Sequence, residues 1–223
     1  MLVLALDTSS PTVTVAVCEA AGAEVRVRAE RAETAENRHG ERLAPLVATV
    51  LRDAGVDTTE IEGIVVGLGP APFTGLRVGI VTARAMSDAL AIPAYGVCSL
   101  DGIAHRFATG DGPFAVVTDA RRKQVYWARY DAGATRVDGP ELGLPVDVAA
   151  MLSGHTTEVV GAGVQLYPDA FRAFTVLDGD PAPRAADLVP VADLTEAPAP
   201  FSPLYLRRPD AQPPGRPKAV TPR

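Results

Sequence analysis

The same order of predicted structural elements occurs twice along the chain. In each half an apolar segment ends in an aspartate, Asp7 or Asp119, and a polar turn and two segments with alternating apolar residues follow it. Such alternation is typical of half-buried antiparallel strands. Helical and strand-like segments then alternate in each half, which is typical of mixed sheets. The sequence therefore predicts an α/β fold of two related lobes, each with a mixed sheet flanked by helices.

The lobe boundaries follow from this repeat and from composition. We place an N-terminal lobe at residues 1–108 and a C-terminal lobe at residues 109–208. We also predict a flexible tail at residues 209–223, which is rich in proline and has almost nothing apolar to bury. In the first lobe the predicted strands are 2–6, 12–18, 24–31, 61–67 and 94–98, and the predicted helices are 39–54, 74–90 and 99–107. In the second lobe the predicted strands are 114–118, 123–130, 135–138, 158–161 and 174–177, and the predicted helices are 146–152 and 168–171.

Charge is distributed unevenly along the chain. The formal net charge is −6, whereas a protein that binds nucleic acid on its own usually carries the opposite sign. Residues 207–223 hold five basic side chains against one acid, so this segment carries +4 and the rest of the chain −10. Independent RNA binding is therefore not expected, whereas the tail is suited to an anionic partner.

The sequence also predicts a soluble cytoplasmic protein that does not associate with membranes. The first six residues are apolar but include no basic region, so they do not resemble a signal peptide. Each apolar stretch is far shorter than the roughly 20 residues of a membrane-spanning helix. Cys18 and Cys98 lie far apart without metal-binding or redox spacing, so we expect two buried free thiols.

The two polar turns form the first candidate site. Each follows a strand that ends in an acid, as do the two hairpins that the actin, hexokinase and heat-shock chaperone superfamily places across a nucleotide cleft. In those enzymes the turns offer backbone amides to phosphates and the acids hold a metal ion. Candidates for a nucleotide site are therefore Asp7, Thr8, Ser9 and Asp119. Ordinary Asx turns explain both aspartates equally well.

A glycine-rich segment, residues 67–79, lies between a predicted buried strand and a predicted helix. With Thr74 as the helix cap and Gly69 and Gly75 beside it, free backbone amides here would suit an anion. However, no Gly-Lys-Ser/Thr follows and position 72 is proline, so neither the P-loop nor the dinucleotide motif is present. We favour the alternative, in which the glycines allow positive φ and close packing while the prolines stiffen the loop.

Six motifs follow one another in a consistent order. They are Leu-Ala-Leu-Asp-Thr-Ser at 4–9, His-x-Glu-Arg-Leu-x-Pro at 39–45, Gly-x-Gly-Pro-x-x-Phe-Thr-Gly-Leu-Arg-x-Gly at 67–79, Gly-Val-x-Ser-Leu at 96–100, Asp-Ala-Arg-Arg-x-x-Val-Tyr at 119–126 and Pro-Leu-Tyr-Leu-Arg at 203–207. Together they resemble the TsaB (YeaZ) family over about residues 2–208, and the Phe-Thr-Gly-Leu-Arg part is highly specific. One departure is Ala71-Pro72, where the family usually has Gly-Ser.

This resemblance implies a two-lobed fold of the actin-like ATPase (ASKHA, ribonuclease H-like) superfamily, in a paralogue of the catalytic subunit TsaD. It implies that the chain forms a heterodimer with TsaD, that the ATPase TsaE joins the pair, and that the chain forms a homodimer when alone. The complex transfers threonylcarbamoyl from its adenylate to the adenosine beside the tRNA anticodon. The chain itself would reach tRNA only indirectly, through the complex.

The same resemblance implies that this chain lacks the catalytic metal-binding residues of TsaD. TsaD proteins hold a metal with a His-x-x-x-His pair, since two imidazoles one helical turn apart reach one ion. Here His39 is followed four places later by Leu43, which cannot bind a metal, so we expect a surface or interface role for His39 with Glu41. The expectation is a non-catalytic dimerization and scaffold subunit without a metal or cofactor, in which nucleotide binding would be weak or would depend on an interface. The alternative is an active ATPase or phosphotransferase that uses Asp7, Asp119 and residues 67–79.

The first two predicted helices are the candidate partner surface. They carry more apolar residues than one face needs, and such a surplus marks interaction surfaces. The resemblance implies that family members associate through these helices, with themselves or with TsaD. The predicted partner-binding residues are Leu43, Leu46, Val47, Val50, Leu76, Ile80 and Ala83.

Overall fold

The chain folds into two five-stranded sheets with helices packed against them. A computed structural model describes residues 1–22, 24–35, 38–108 and 110–207, and of Phe73 the backbone only. The strands of the first sheet are β1 (Leu2–Asp7), β2 (Thr12–Ala21), β3 (Glu24–Thr34), β4 (Gly63–Gly67) and β5 (Ala94–Val97). Those of the second sheet are β6 (Phe114–Asp119), β7 (Val125–Tyr130), β8 (Arg136–Gly143), β9 (Glu158–Val160) and β10 (Thr175–Val176).

Both sheets have the same strand order and the same strand directions. The order is β3-β2-β1-β4-β5 in the first sheet and β8-β7-β6-β9-β10 in the second. In each sheet the first three strands pair antiparallel and the last three pair parallel. Asp7 ends β1 and Asp119 ends β6, which are equivalent strands. The predicted α/β fold with a repeated order of elements is confirmed.

In the described part of the chain, six helices flank the sheets. They are α1 (His39–Ala54), α2 (Phe73–Leu90), α3 (Ser99–Phe107), α4 (Pro145–Leu152), α5 (Ala162–Leu166) and α6 (Pro168–Phe171), with 3₁₀ turns at Thr58–Glu60 and Ala185–Leu188. Helices α1 and α2 lie side by side on one face of the first sheet and share its main apolar core. The predicted bounds of α1, α2 and α3 agree with the structure to within one residue, whereas α5 was not predicted. Among the described residues, no helix is long and apolar enough to cross a membrane.

After the second sheet the chain returns to the first. Ala185, Leu188 and Val189 pack on the face of the first sheet opposite α1 and α2. The chain then crosses to the other face, where the Leu204 amide donates a hydrogen bond to the Leu68 carbonyl at 2.9 Å. The sequence analysis assigned all of residues 109–208 to the C-terminal lobe, yet this closing segment covers the first sheet. The predicted tail at residues 209–223 lies outside the described part of the chain.

Both cysteines are buried free thiols, as predicted. Burial, reinforced by nearby carboxylates, raises the pKa of Cys18 to about 12. Burial likewise raises the pKa of Cys98 to about 12. Since the thiolate is the reactive form, both cysteines are chemically inert at neutral pH.

Candidate functional site

Asp7 lies at the end of β1 with none of its surface exposed. Its Oδ1 accepts hydrogen bonds from the Ser9 amide at 2.7 Å and the Ser9 hydroxyl at 2.6 Å. Its Oδ2 accepts one from the Ser99 hydroxyl at 2.6 Å. Ser99 Oγ in turn accepts a hydrogen bond from the Gly69 amide at 3.2 Å. Both carboxylate oxygens are therefore engaged inside the protein, and the Gly69 amide, a candidate phosphate donor, is engaged as well.

Two glycines bring the glycine-rich segment against this network. A Cβ atom at Gly67 would lie 2.0 Å from Asp7 Oδ2, and a Cβ atom at Gly79 would lie 2.5 Å from Thr8 Oγ1. The Gly79 amide also donates a hydrogen bond to Thr8 Oγ1 at 3.2 Å. Since side-chain carbons do not approach other atoms this closely, only glycine fits at either position. These glycines serve close packing, which is the interpretation that the sequence favoured.

The start of α2 differs from the prediction. The helix begins at Phe73, and its cap residue is Pro72, which makes no side-chain cap hydrogen bond. Thr74 is exposed within the first turn, so its predicted role as the helix cap is wrong. The proline explains the difference, because its fixed φ suits the entry to a helix one residue earlier. Gly69 has a φ of 84°, in the left-handed region that favours glycine.

His39 has a structural role at the start of α1. Its Nε2 donates a hydrogen bond to the Ser10 carbonyl at 2.9 Å. The ring also packs on α2 at Gly75, where a Cβ atom would lie 3.1 Å from Nε2. Leu43, four residues later, is in the core. Across the described ranges, no group of three or more His, Cys, Asp and Glu side chains is placed to hold a metal ion.

The second polar turn has a different setting from the first. Asp119 Oδ1 accepts a hydrogen bond from the Arg121 amide at 2.8 Å, which is the Asx turn that the sequence analysis left open. The Arg121 Nε lies 3.6 Å from Asp119 Oδ2, and the Asp119 side chain is a quarter exposed. The two equivalent aspartates therefore differ, since one is enclosed in the core and the other stabilises an exposed turn.

Titration of Asp7 leads to a prediction about stability. Burial raises the pKa of the Asp7 carboxyl, although hydrogen bonds from Ser9 and Ser99 oppose the rise. The folded chain thus holds this proton more tightly than the unfolded chain does. The protonated Asp7 carboxyl therefore makes its full contribution to stability below pH about 4, and that contribution is lost as pH rises through the raised pKa. We expect the free energy of unfolding of the wild type, relative to Asp7→Asn, to fall over that range. Urea denaturation at a series of pH values measures it, and a difference that stays constant with pH would contradict the assignment.

Comparison with known proteins identifies the family in which this arrangement occurs. The family model for TsaD, the tRNA N6-adenosine threonylcarbamoyltransferase, matches residues 31–153. A protein of Mycobacterium tuberculosis is 42% identical over 95% of this chain and 94% of its own length. The Escherichia coli tRNA threonylcarbamoyladenosine biosynthesis protein TsaB is 29% identical over 93% of this chain and 95% of its own length.

A solved structure agrees with the sequence comparisons. The structure of YeaZ from Pseudomonas aeruginosa superposes with a TM-score of 0.68 at 28% identity, over 84% of this chain and 88% of that chain. The chain belongs to the TsaB (YeaZ) family. Its two repeated sheets have the actin-like, ribonuclease H-like fold, as predicted.

The apolar residues predicted to bind a partner have a different role in this TsaB family member. They lie on α1 and α2 as expected, but each is at most 7% exposed and belongs to the core of the first lobe. Each of the two helices packs on the first sheet and also on the other helix. Two sides of each helix are therefore buried, which accounts for its surplus of apolar residues. The sequence predicted a partner surface, whereas the structure places these side chains in the core: Leu43, Leu46, Val47, Val50, Leu76, Ile80 and Ala83.

The exposed side of the same two helices carries small and apolar side chains beside charged ones such as Arg77 and Arg84, and the small and apolar ones were not among the predicted partner-binding residues. On α1 the residues at four-residue spacing are small, and on α2 Val81 is 62% exposed. We call this surface the α1–α2 outer face; its members are Gly40, Ala44, Pro45, Ala48, Val81 and Ala85. The spacing of Gly40, Ala44 and Ala48 was a usable signal, because residues four apart share one side of a helix.

Proposed function

We propose that this chain is a non-catalytic subunit of the machinery that makes threonylcarbamoyladenosine beside the tRNA anticodon. The observation that carries the proposal is the enclosure of Asp7, whose two carboxylate oxygens accept hydrogen bonds from Ser9 and Ser99. An aspartate that binds a metal ion presents an oxygen to it. The relatives support the pathway, since those of Escherichia coli and Bacillus subtilis are both named tRNA threonylcarbamoyladenosine biosynthesis proteins.

In place of chemistry, the chain would contribute a binding surface. The α1–α2 outer face combines an exposed Val81 with the small side chains of Gly40, Ala44 and Ala48. Small side chains let a partner helix approach closely, because the distance between packed helices depends on the residues at the contact. We propose that this face binds TsaD in a heterodimer and a second copy of the chain when TsaD is absent. TsaE would join the pair, and tRNA would be reached through the complex.

Such a subunit acts by stabilising one state of its partner. A binding partner shifts an equilibrium only as far as it prefers one arrangement over the other. The chain would therefore bind the competent arrangement of TsaD more tightly than the inactive one. This requires a firm interface and a rigid lobe, and the packing of Gly67 and Gly79 against the first turn supports that rigidity.

Reconstitution with TsaD and TsaE of the same organism tests the proposal. We expect the chain to co-purify with TsaD, and tRNA modification by TsaD to require it. Calorimetry of the isolated chain with MgATP is expected to show neither tight binding nor turnover. Tight binding with turnover would instead support the alternative, an active ATPase or phosphotransferase of the same superfamily.

A further inference from the structure

The turn between β6 and β7 presents three basic side chains in succession. Arg121, Arg122 and Lys123 are all exposed, and their φ angles are 62°, 53° and 59°. Residues other than glycine rarely adopt this left-handed backbone conformation even singly. Three such residues in succession are more unusual still. A turn that needed only this backbone shape would be served by glycine. The basic side chains therefore call for an explanation beyond the shape of the turn.

Hydrogen bonds hold this turn in its unusual conformation. Asp119 Oδ1 accepts from the Arg121 amide at 2.8 Å. The Ala120 amide donates to the Gln124 carbonyl at 3.0 Å, and the Gln124 amide donates to the Arg121 carbonyl at 3.1 Å. The backbone is thus closed on itself and fixes the positions from which the three exposed basic side chains start; the Arg121 Nε lies 3.6 Å from Asp119 Oδ2.

The closing segment of the chain adds a fourth cation at the same place. Arg207 donates a hydrogen bond from its Nη2 to the side-chain oxygen of Gln124. Burial raises the pKa of Tyr126, and the nearby charge of Arg207 opposes that rise. We name Arg121, Arg122, Lys123 and Arg207 together the basic tip. Within residues 119–124 and Arg207, four cations thus stand against one carboxylate, that of Asp119.

This local charge is opposite to that of the chain as a whole. The net charge is −6, and in the basic tip the second polar turn is joined by Arg207, the first residue of the stretch of sequence that carries +4. We propose that the basic tip contacts the phosphate backbone of the tRNA substrate within the assembled complex. The inference rests on the proposed function, because it takes its ligand from the reaction of that complex. It also fits the acidic body, since the chain alone would bind RNA weakly and the tip would add to a surface formed with TsaD.

An RNA ligand suits the basic tip better than an acidic protein does. Protein interfaces have an apolar or aromatic centre inside a polar rim. The turn from Arg121 to Lys123 offers guanidinium and ammonium groups without apolar side chains between them. Contacts to nucleic-acid phosphates, by contrast, are made chiefly by Arg and Lys and carry no sequence information. The tip would therefore add affinity and orientation rather than base specificity.

The test removes charge without straining the fold. In the double variant Arg122→Gly/Lys123→Gly, glycine suits the left-handed backbone, so the melting temperature is expected to equal or exceed that of the wild type. The full chain in complex with TsaD is titrated into a labelled, unmodified tRNA transcript that has adenosine beside the anticodon. We expect the Kd to rise about tenfold at 0.1 M KCl, and the slope of log K against log salt to become shallower by about 2.

A matched control removes two charges elsewhere. Arg26 and Arg28 lie on β3, at the outer edge of the first sheet, and Arg26→Ala/Arg28→Ala is expected to bind the transcript as the wild type does. Equal Kd and salt slope for the tip variant and this control would overturn the inference, as would a tip variant whose primary loss is affinity for TsaD. If the wild-type complex does not modify tRNA, the proposed function fails; if it does and the tip variant binds normally, only the tip assignment fails.

Discussion

Replacing Gly67 with alanine is expected to lower the free energy of unfolding by about 3 kcal/mol or more, which is at the upper end for an added methyl group. The new Cβ would lie 2.0 Å from Asp7 Oδ2 and 2.7 Å from Ser99 Oγ. These atoms are joined by a 2.6 Å hydrogen bond in the buried interior. The methyl group would therefore both crowd the core and separate two buried polar groups, and unsatisfied buried groups add their own destabilisation.

Urea denaturation of the purified chain measures this effect, and Gly112→Ala is the control. A Cβ at Gly112 would meet nothing within 4 Å, so this change is expected to shift stability by no more than about 0.5 kcal/mol. Two variants that differ from the wild type by the same small amount would show that the glycine-rich segment is not packed against Asp7. The account of that segment as a packing device would then be wrong.

Replacing Val81 with aspartate is expected to weaken association with TsaD about 100-fold and to leave the fold intact. The Val81 side chain is 62% exposed on the α1–α2 outer face, so the monomer tolerates the charge. A partner that covers Val81 would have to bury the new charge, and the few residues that dominate an interface each contribute about 2 kcal/mol or more. The Kd for TsaD, from titration calorimetry or interferometry, is the quantity to measure.

Two further variants make this result specific. Val176→Asp makes the same chemical change at a residue of the second sheet that is 48% exposed, and it is expected to leave association unchanged. Val50→Asp places the charge at a residue with no exposed surface and is expected to unfold the chain. If Val81→Asp bound TsaD as tightly as Val176→Asp does, the outer face would not be the partner surface.

The sequence predicted those parts of the fold that depend on local pattern. The bounds of α1 and α3 follow from apolar spacing and from a glycine at position 55, whose φ of 66° closes α1. The repeated sheet follows because the same alternation occurs before Asp7 and before Asp119. The short helix Ala162–Leu166 was overlooked because five residues are too few for a helical period to stand out.

The burial of α1 and α2 required tertiary information. Periodicity shows that Val50 and Ile80 lie on apolar arcs, but not whether a sheet or a partner covers those arcs. In the structure the first sheet and the other helix cover them, and Ala48 and Val81 face outward instead. The side of a helix on which a residue lies can thus be predicted from local sequence, whereas the burial of that side depends on how the helices and sheets pack together.

The polar turn at Asp7 likewise combines a feature that local sequence predicts with contacts that only the fold reveals. An Asx turn could be predicted from adjacent residues, since Ser9 donates across only two positions. The contacts that enclose the turn come from Ser99 and Gly79, which lie 92 and 71 residues away from their partners, Asp7 and Thr8. A single sequence does not reveal such pairings, so the enclosure of the candidate site appears only in the fold.

The most direct test of the central claim is the rate of tRNA modification by TsaD and TsaE reconstituted with Asp7→Asn. If the chain contributes a surface and Asp7 serves the fold alone, a variant that melts normally and binds TsaD should support modification within about threefold of the wild-type rate. If this folded, TsaD-bound variant instead lost activity by about 100-fold or more, Asp7 would take part in the chemistry, as metal or phosphate binding requires. The non-catalytic account would then be contradicted.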